Sequence, residues 1–156
     1  MLTRLRRRVR LALAGTLLVA LALGTSASAL AGARTVFEGS LVGLPVAGET
    51  LFGVAGGGVT WDITEGHATL TSDGHLSLQV HGLVLSTTHS NPIPTGRAIV
   101  ACAGAVVASS DAVSFSTSGD AQVNAQLAIP SPCLAPTVFF AGITGAGDRW
   151  FAVTGL

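Results

Sequence analysis

The sequence has no tyrosine and no lysine, and charged residues occupy only 10% of its 156 positions. Five of the eight basic residues lie between Arg4 and Arg10, ahead of a long apolar run. Without residues 1–10 the chain keeps three arginines and eight acids, a net charge of −5 (3 − 8). Nucleic-acid binding requires a basic surface that neutralises phosphates. We therefore expect no nucleic-acid partner.

The sequence also lacks the familiar catalytic motifs. It contains no G-x-S-x-G element of the kind that presents a nucleophilic serine. Residues 56–58 are three glycines, but neither Lys nor Ser follows them, so they predict a flexible turn before Trp61 and not a phosphate loop. With two tryptophans and no tyrosine, a sugar-stacking face is not expected. The sequence favours a non-catalytic protein over an enzyme and predicts no cofactor.

The N-terminus has the three parts of a secretory signal peptide. A cluster of arginines is followed by the apolar run Leu11–Leu23, and then by small residues in an A-x-A pattern at positions 27–29. A spanning helix needs about 20 apolar residues, and this run is shorter. Cleavage is therefore expected in preference to an uncleaved anchor.

The predicted cleavage divides the chain into a helical signal peptide, residues 1–29, and a single secreted domain, residues 30–156. Ala29 is the favoured last residue of the signal, while Ala31 and Ala33 end segments that satisfy the same rule, so these alternatives stay open. The export route also stays open. We expect a secreted protein that keeps no stable membrane anchor.

Cys102 and Cys133 are the two cysteines of the chain. An isolated pair in an exported protein predicts a disulfide bond. The competing interpretations, a metal-binding pair or a thiol nucleophile, lack a C-x-x-C motif or any further cysteine.

Alternation of polar and apolar residues predicts an all-β fold after the signal. No later segment has a helical period, and short strands separated by glycine and proline are typical of an antiparallel β-sandwich or barrel. The order of the strands stays open. Residues 112–129 predict a hairpin, and 97–107 predict a central strand covered on both faces; further strands are predicted at 36–44, 49–54, 59–63, 66–71, 75–81, 137–143 and 149–154.

The turn Ser72-Asp73-Gly74 fixes the register of one predicted hairpin. A two-residue loop would pair Leu70 with polar Ser77, whereas a three-residue loop pairs Leu70 with Leu76. Because cross-strand partners share a face, the second register is expected. Gly74 then takes the left-handed conformation of a bulged turn.

Several short stretches of the chain occur together in a familiar combination: Gly66 through Gly82-Leu83-Val84-Leu85, Asn91-Pro92, Gly119-Asp120-Ala121, Pro130 to Pro136, and Trp150 to Gly155. In these stretches the chain resembles small secreted β-rich proteins of unknown function from high-GC Gram-positive bacteria. The likeness covers most of the mature chain. It implies secretion and the cysteine pair; it implies no activity, so no functional residue is carried over.

The hairpin register brings two histidines and an acid onto one polar face. Glu65 is expected opposite His81. His67 is expected opposite Gln79, two residues from Glu65 on the same face. Two imidazoles and a carboxylate within several ångström could bind zinc or copper. The other interpretation is a solvated strand face that happens to carry histidines, since no spacing motif supports a metal site.

The longest irregular segment, residues 86–96, contains His89, Asn91 and Ile93, together with the prolines at 92 and 94. Long loops on rigid β scaffolds often carry binding sites, so these three residues form a candidate binding loop. The alternative interpretation is a plain connection whose prolines discourage edge pairing.

Together these features predict a secreted, non-catalytic binding or structural module that meets an extracellular or cell-surface ligand. The alternative is a metal-binding protein or metal-dependent enzyme that uses Glu65, His67 and His81. The apolar composition of the mature chain could also reflect exposed strands that associate into a homo-oligomer.

Overall fold

The structure is a computed structural model that describes residues 32–155, so the predicted signal peptide at 1–29 lies outside the described residues. Between residues 32 and 155 the chain forms strands and no helix, which confirms the predicted all-β class. The strands are β1 Thr35–Gly43, β2 Thr50–Leu51, β3 Val54–Ala55, β4 Trp61–Asp62, β5 Glu65–Thr71, β6 His75–His81, β7 Val84–Leu85, β8 Thr95–Cys102, β9 Ala105–Ser109, β10 Val113–Ser114, β11 Ala121–Gln126, β12 Thr137–Thr144 and β13 Gly147–Thr154.

Most strands belong to one curled antiparallel sheet, in the order β10-β8-β12-β13-β1-β5-β6-β11, with β9 paired to the rest of β8. Strand β1 links the two halves of the sheet, because residues 35–40 pair with β5 and residues 41–43 pair with β13. The sheet curls until its two end strands, β10 and β11, lie beside each other. Two short ladders, β2–β3 and β4–β7, stand outside it.

The β5–β6 hairpin has the register that its sequence predicts. Leu70 pairs with Leu76 and Thr69 with Ser77, and Gly74 has a φ of 88°. The residues on the inner face of this hairpin are completely buried: Ala68, Leu70, Leu76, Leu78 and Val80. The matching of apolar side chains across the hairpin therefore determines its register, as the alternation of apolar residues predicts.

Strand β12 is buried on both faces. Phe140 packs into the interior against Phe115, with ring centroids 4.9 Å apart, while Phe139 faces the other way and lies 6.1 Å from the ring of Trp150. The segment 44–57, which contains β2 and β3, covers that outer face, because the Trp150 indole donates to the carbonyl of Glu49 at 3.0 Å. This outer layer explains why Trp150 is buried.

The predicted long strand at 97–107 is wrong, because the chain reverses within it. Ala103 and Gly104 have φ angles of 51° and 78°, and positive φ at both central residues is the geometry of a tight hairpin turn. Strand β8 is central and buried as expected, but β9 returns along its edge with Ala105 and Val106 exposed.

The predicted hairpin at 112–129 is also wrong. Strand β10 pairs with β8, and β11 pairs with β6, so the two lie at opposite ends of the strand order. The turn between them does form, since the amide of Ser116 donates to the carbonyl of Asp120 at 3.0 Å. The chain passes there from one end of the curled sheet to the other.

The predicted disulfide is confirmed. Cys102, at the end of β8, is bonded to Cys133 in the segment that follows β11, with Cα atoms 5.2 Å apart. A disulfide-bonded fold is compatible with an extracellular location. Among residues 32–155, no helix has the length and hydrophobicity needed to cross a membrane.

Candidate binding cleft

The three predicted metal ligands share the exposed side of the β5–β6 hairpin but do not converge. Glu65 pairs with His81 along the backbone as expected. The His67 Nε2 atom, however, lies 3.4 Å from a carboxylate oxygen of Glu38, and His81 Nδ1 lies 3.3 Å from Asp120. Each histidine thus has a different acid beside it. In the described part of the chain, no group of three or more His, Cys, Asp or Glu side chains is arranged to hold a metal ion.

Asp120 ties His81 to the start of β11. Its carboxylate accepts hydrogen bonds from the Ser118 hydroxyl at 2.6 Å and the Gly82 amide at 3.1 Å, and it faces the ring of His81. These contacts, the Ser118 hydrogen bond first, hold the pKa of Asp120 below its ordinary value because they favour the charged carboxylate. Asp120 therefore has a structural role, because it holds the turn before β11, and His81 contacts it there.

The three residues of the predicted binding loop have different surroundings. Asn91 is buried, and its side-chain amide donates to the carbonyls of Ile93 and Ser116, both at 2.7 Å. Its side-chain oxygen accepts from the Ile93 amide at 2.8 Å. His89 is exposed with a φ of 50°. Asn91 therefore holds the loop in shape, and Ile93, with Pro92 beside it, lines a cleft.

Replacing Asn91 by alanine is expected to lower the free energy of unfolding by about 1–3 kcal/mol, because two partly buried carbonyls would lose their donor. Thermal or denaturant unfolding measures the loss. Asn124→Ala is the matched control: Asn124 is exposed on β11, so a change within about 0.5 kcal/mol is expected. Equal effects of the two substitutions would show that Asn91 does not support the loop.

A cleft of about 310 Å³ opens where β12 turns into β13, at one end of the curled sheet. Most of its lining is apolar, and mouths of β-barrels and similar openings are common places for small-molecule sites. The lining residues come from four separate parts of the chain: Gly57, Gly58, Val59, Trp61, Leu85, Pro92, Ile93, Thr144, Arg149 and Phe151.

The floor of the cleft is a stacked pair of aromatic rings. The rings of Trp61 and Phe151 are 3.9 Å apart between centroids and inclined by 13°, and both side chains are almost fully buried. Such pairs contribute about 0.5–1.5 kcal/mol beyond their buried area. The pair forms a rigid, preformed bottom to the cleft, and only a small part of the two rings is open to it.

A bulge in the β12–β13 ladder helps to position Phe151. Phe140 pairs with Ala152 and Ala141 with Trp150, so Phe151 is the extra residue on β13. Across the ladder, Gly142 leaves the space that its ring fills: a Cβ atom on Gly142 would lie 2.1 Å from Cε2 of Phe151. A glycine and a bulge, both within the ladder, together create the floor.

The glycine segment 56–58 forms one wall and is held in place, in contrast to the flexible turn expected from its composition. The Gly57 amide donates to the carbonyl of Trp150 at 3.1 Å, and the Gly57 carbonyl accepts from the Gly48 amide at 2.7 Å. A Cβ atom on Gly57 would lie 2.9 Å from Nε1 of Trp61. The glycine thus allows the backbone to cover the edge of the indole.

Arg149 is the one charged residue in the lining of the cleft. Its side chain is half-buried, and among residues 32–155 it forms no ion pair. Thr144 has the one hydroxyl group of the lining, and it already donates this hydroxyl to the carbonyl of Gly147 at 2.7 Å. The cleft therefore combines an apolar floor with a single cation whose hydrogen-bond donors remain available.

The sequence indicates only part of this site. It marks Ile93 as a candidate contact but gives no role to Trp61, Phe151 or Arg149. The one sequence signal for the position of Phe151 is Gly142, because an isolated glycine within a strand marks a place where another group approaches the backbone closely.

No family model, curated protein or solved structure matches the chain.

Proposed function

We propose that this protein is a secreted, non-catalytic binding module of the extracellular space or cell envelope, and that its cleft receives a small, largely apolar ligand. The observation that carries the proposal is the preformed floor of Trp61 and Phe151 beneath an opening bordered by Ile93. The N-terminal signal pattern and the resemblance to small secreted β-rich proteins favour export, and the disulfide is compatible with it.

Binding fits the lining of the cleft better than catalysis does. A hydrolytic site brings together a nucleophile, a base and an orienting group within hydrogen-bond reach. The polar side-chain groups of the lining are the occupied hydroxyl of Thr144, the buried indole N–H of Trp61 and the guanidinium of Arg149. None of them is a general base near neutral pH, whereas an apolar floor with one cation suits recognition.

The volume of the cleft limits the size of the ligand. A volume of about 310 Å³ lies at the lower end of the usual range for ligand pockets. It corresponds to about ten water molecules at their share of liquid volume. A single short alkyl chain or one aromatic ring with a small substituent would fill it.

Octanamide, a neutral probe of this size, is expected to bind in the cleft. Two-dimensional ¹H–¹⁵N spectra follow the binding, because the two tryptophans of the chain give two indole signals. The Trp61 signal should shift to saturation, while Trp150, on the other face of the sheet, should shift little. Displacement of water from apolar surface drives the association.

A pair of matched variants locates the site. Ile93→Ala removes apolar surface from the cleft and should weaken octanamide binding about tenfold. Ile129→Ala removes the same atoms from an equally half-buried isoleucine that lines a different groove, and it should leave the affinity unchanged. No saturable shift of Trp61, or equal losses in the two variants, would rule out the proposed function.

A further inference from the structure

We infer that the cleft selects ligands with a negatively charged end, and specifically short amphiphilic carboxylates. In this arrangement the carboxylate lies against Arg149 and the apolar part lies on Trp61 and Phe151. The inference rests on the proposed function, since it names the class of ligand that the same cleft takes.

The charge pattern around the cleft is the first argument. The part of the chain that the structure describes has eight acids and three arginines. Arg97 has its Nε atom 3.7 Å from Asp148, whereas Arg34 is exposed, lies away from the cleft and has no acidic partner among residues 32–155. Arg149, the next residue after Asp148, has no carboxylate within ion-pair distance among residues 32–155. Its charge is available to a ligand.

The position of Arg149 relative to the floor is the second argument. Arg149 and Phe151 are two residues apart on β13, and Arg149 pairs with Gly142, the residue whose missing side chain makes room for the Phe151 ring. The cation and the apolar floor therefore border one cleft of limited volume. A ligand that extends from Phe151 to Arg149 needs an apolar body and a hydrogen-bond acceptor at one end.

The environment of Arg149 strengthens its preference for a carboxylate. The side chain is half-buried against apolar neighbours, where charges are screened less than in bulk water. A guanidinium presents a planar fork of donors that matches two carboxylate oxygens, and such charge-assisted bonds are about twice as strong as neutral ones. A primary amide of the same shape offers one acceptor oxygen and no charge.

Octanoate and octanamide form the matched pair of probes, since they have the same alkyl chain and the same number of non-hydrogen atoms. At low ionic strength and neutral pH, octanoate should bind the wild-type protein about tenfold more tightly than octanamide. The preference should decrease at high salt, because part of it is Coulombic. Calorimetry gives both affinities, and the Trp61 indole signal reports where each probe binds.

Three variants separate a local effect from net charge. Arg149→Gln should bring the octanoate-to-octanamide affinity ratio close to one, and Arg149→Lys should keep part of the preference. Arg34→Gln makes the same change in net charge at an exposed arginine beside a different groove, and it should keep the full preference.

The outcomes distinguish the inference from the proposed function. Equal affinities of the two probes for the wild-type protein would overturn the inference and leave a neutral apolar site. A loss of preference in Arg34→Gln as large as in Arg149→Gln would also overturn it, because net charge alone would then account for the selectivity. If neither probe shifts the Trp61 signal, the proposed function itself is wrong.

Discussion

Replacing Phe151 by alanine is expected to lower the free energy of unfolding by about 3–5 kcal/mol. The Phe151 ring is 2% exposed, stacks on Trp61 at 3.9 Å and fills the space above Gly142. Its removal leaves a cavity that the rigid ladder of β12 and β13 cannot close. Denaturant unfolding measures the change as a shift in midpoint at constant slope.

Phe52→Ala is the matched control for this prediction. Phe52 packs edge-on against Phe139 at 6.3 Å but is 46% exposed, so the same truncation removes much less buried surface and should cost about 1–2 kcal/mol. Phe151→Leu keeps most of the buried volume and should unfold nearer to the wild type, yet it removes the flat ring and should weaken octanamide binding. A Phe151→Ala variant no less stable than Phe52→Ala would contradict the assignment of Phe151 to the floor.

Removal of the disulfide is expected to lower the free energy of unfolding by about 3–4 kcal/mol, because the bond closes a loop of 31 residues and restricts the unfolded chain. The closed loop contains β9, β10 and β11, so both end strands of the sheet depend on it. The double variant Cys102→Ala, Cys133→Ala tests the prediction by thermal unfolding.

The double variant is also the control for an experiment in which the disulfide of the wild-type protein is reduced chemically. Addition of a phosphine reductant should destabilise the wild-type protein by a similar amount and leave the double variant unchanged, because the two substitutions remove both cysteines of the chain and with them the bond that the reductant cleaves. A wild-type protein whose unfolding is insensitive to reduction would show that the loop is held mainly by its packing.

Where the hydrophobic pattern is strongly periodic, the sequence was sufficient to predict local structure. The alternating segments of β5 and β6 tolerate only one register, since a shift by one residue would place Leu70 and Leu76 on opposite faces. The disulfide could be predicted because the chain has only two cysteines. Both predictions depend on residues whose pairing has few alternatives.

The errors arise where the chain changes direction without a strong local signal. Ala103-Gly104 makes a tight turn, although an alanine with positive φ lacks the usual preference of asparagine or aspartate for that conformation. The continuous apolar run across it suggested one strand. The Ser116–Asp120 turn has good local signals, but they do not reveal that its flanking strands pair with β8 and β6 instead of with each other.

The cleft could not be predicted for a related reason. Trp61, Ile93 and Arg149 are far apart in the sequence, and only the curl of the sheet brings them around one opening. The bulge at Phe151 has no marker beyond the glycine across the ladder. Ile93 was accessible to sequence reasoning because a long loop with two prolines stands out, whereas Asn91 proved to be the residue that shapes that loop.

A crystal structure of the protein in complex with octanoate tests the central claim most directly. We predict electron density for the alkyl chain on the rings of Trp61 and Phe151, beside Ile93, with the carboxylate within hydrogen-bond distance of the Arg149 guanidinium. Octanoate bound only elsewhere on the surface, with the cleft filled by water, would contradict the account.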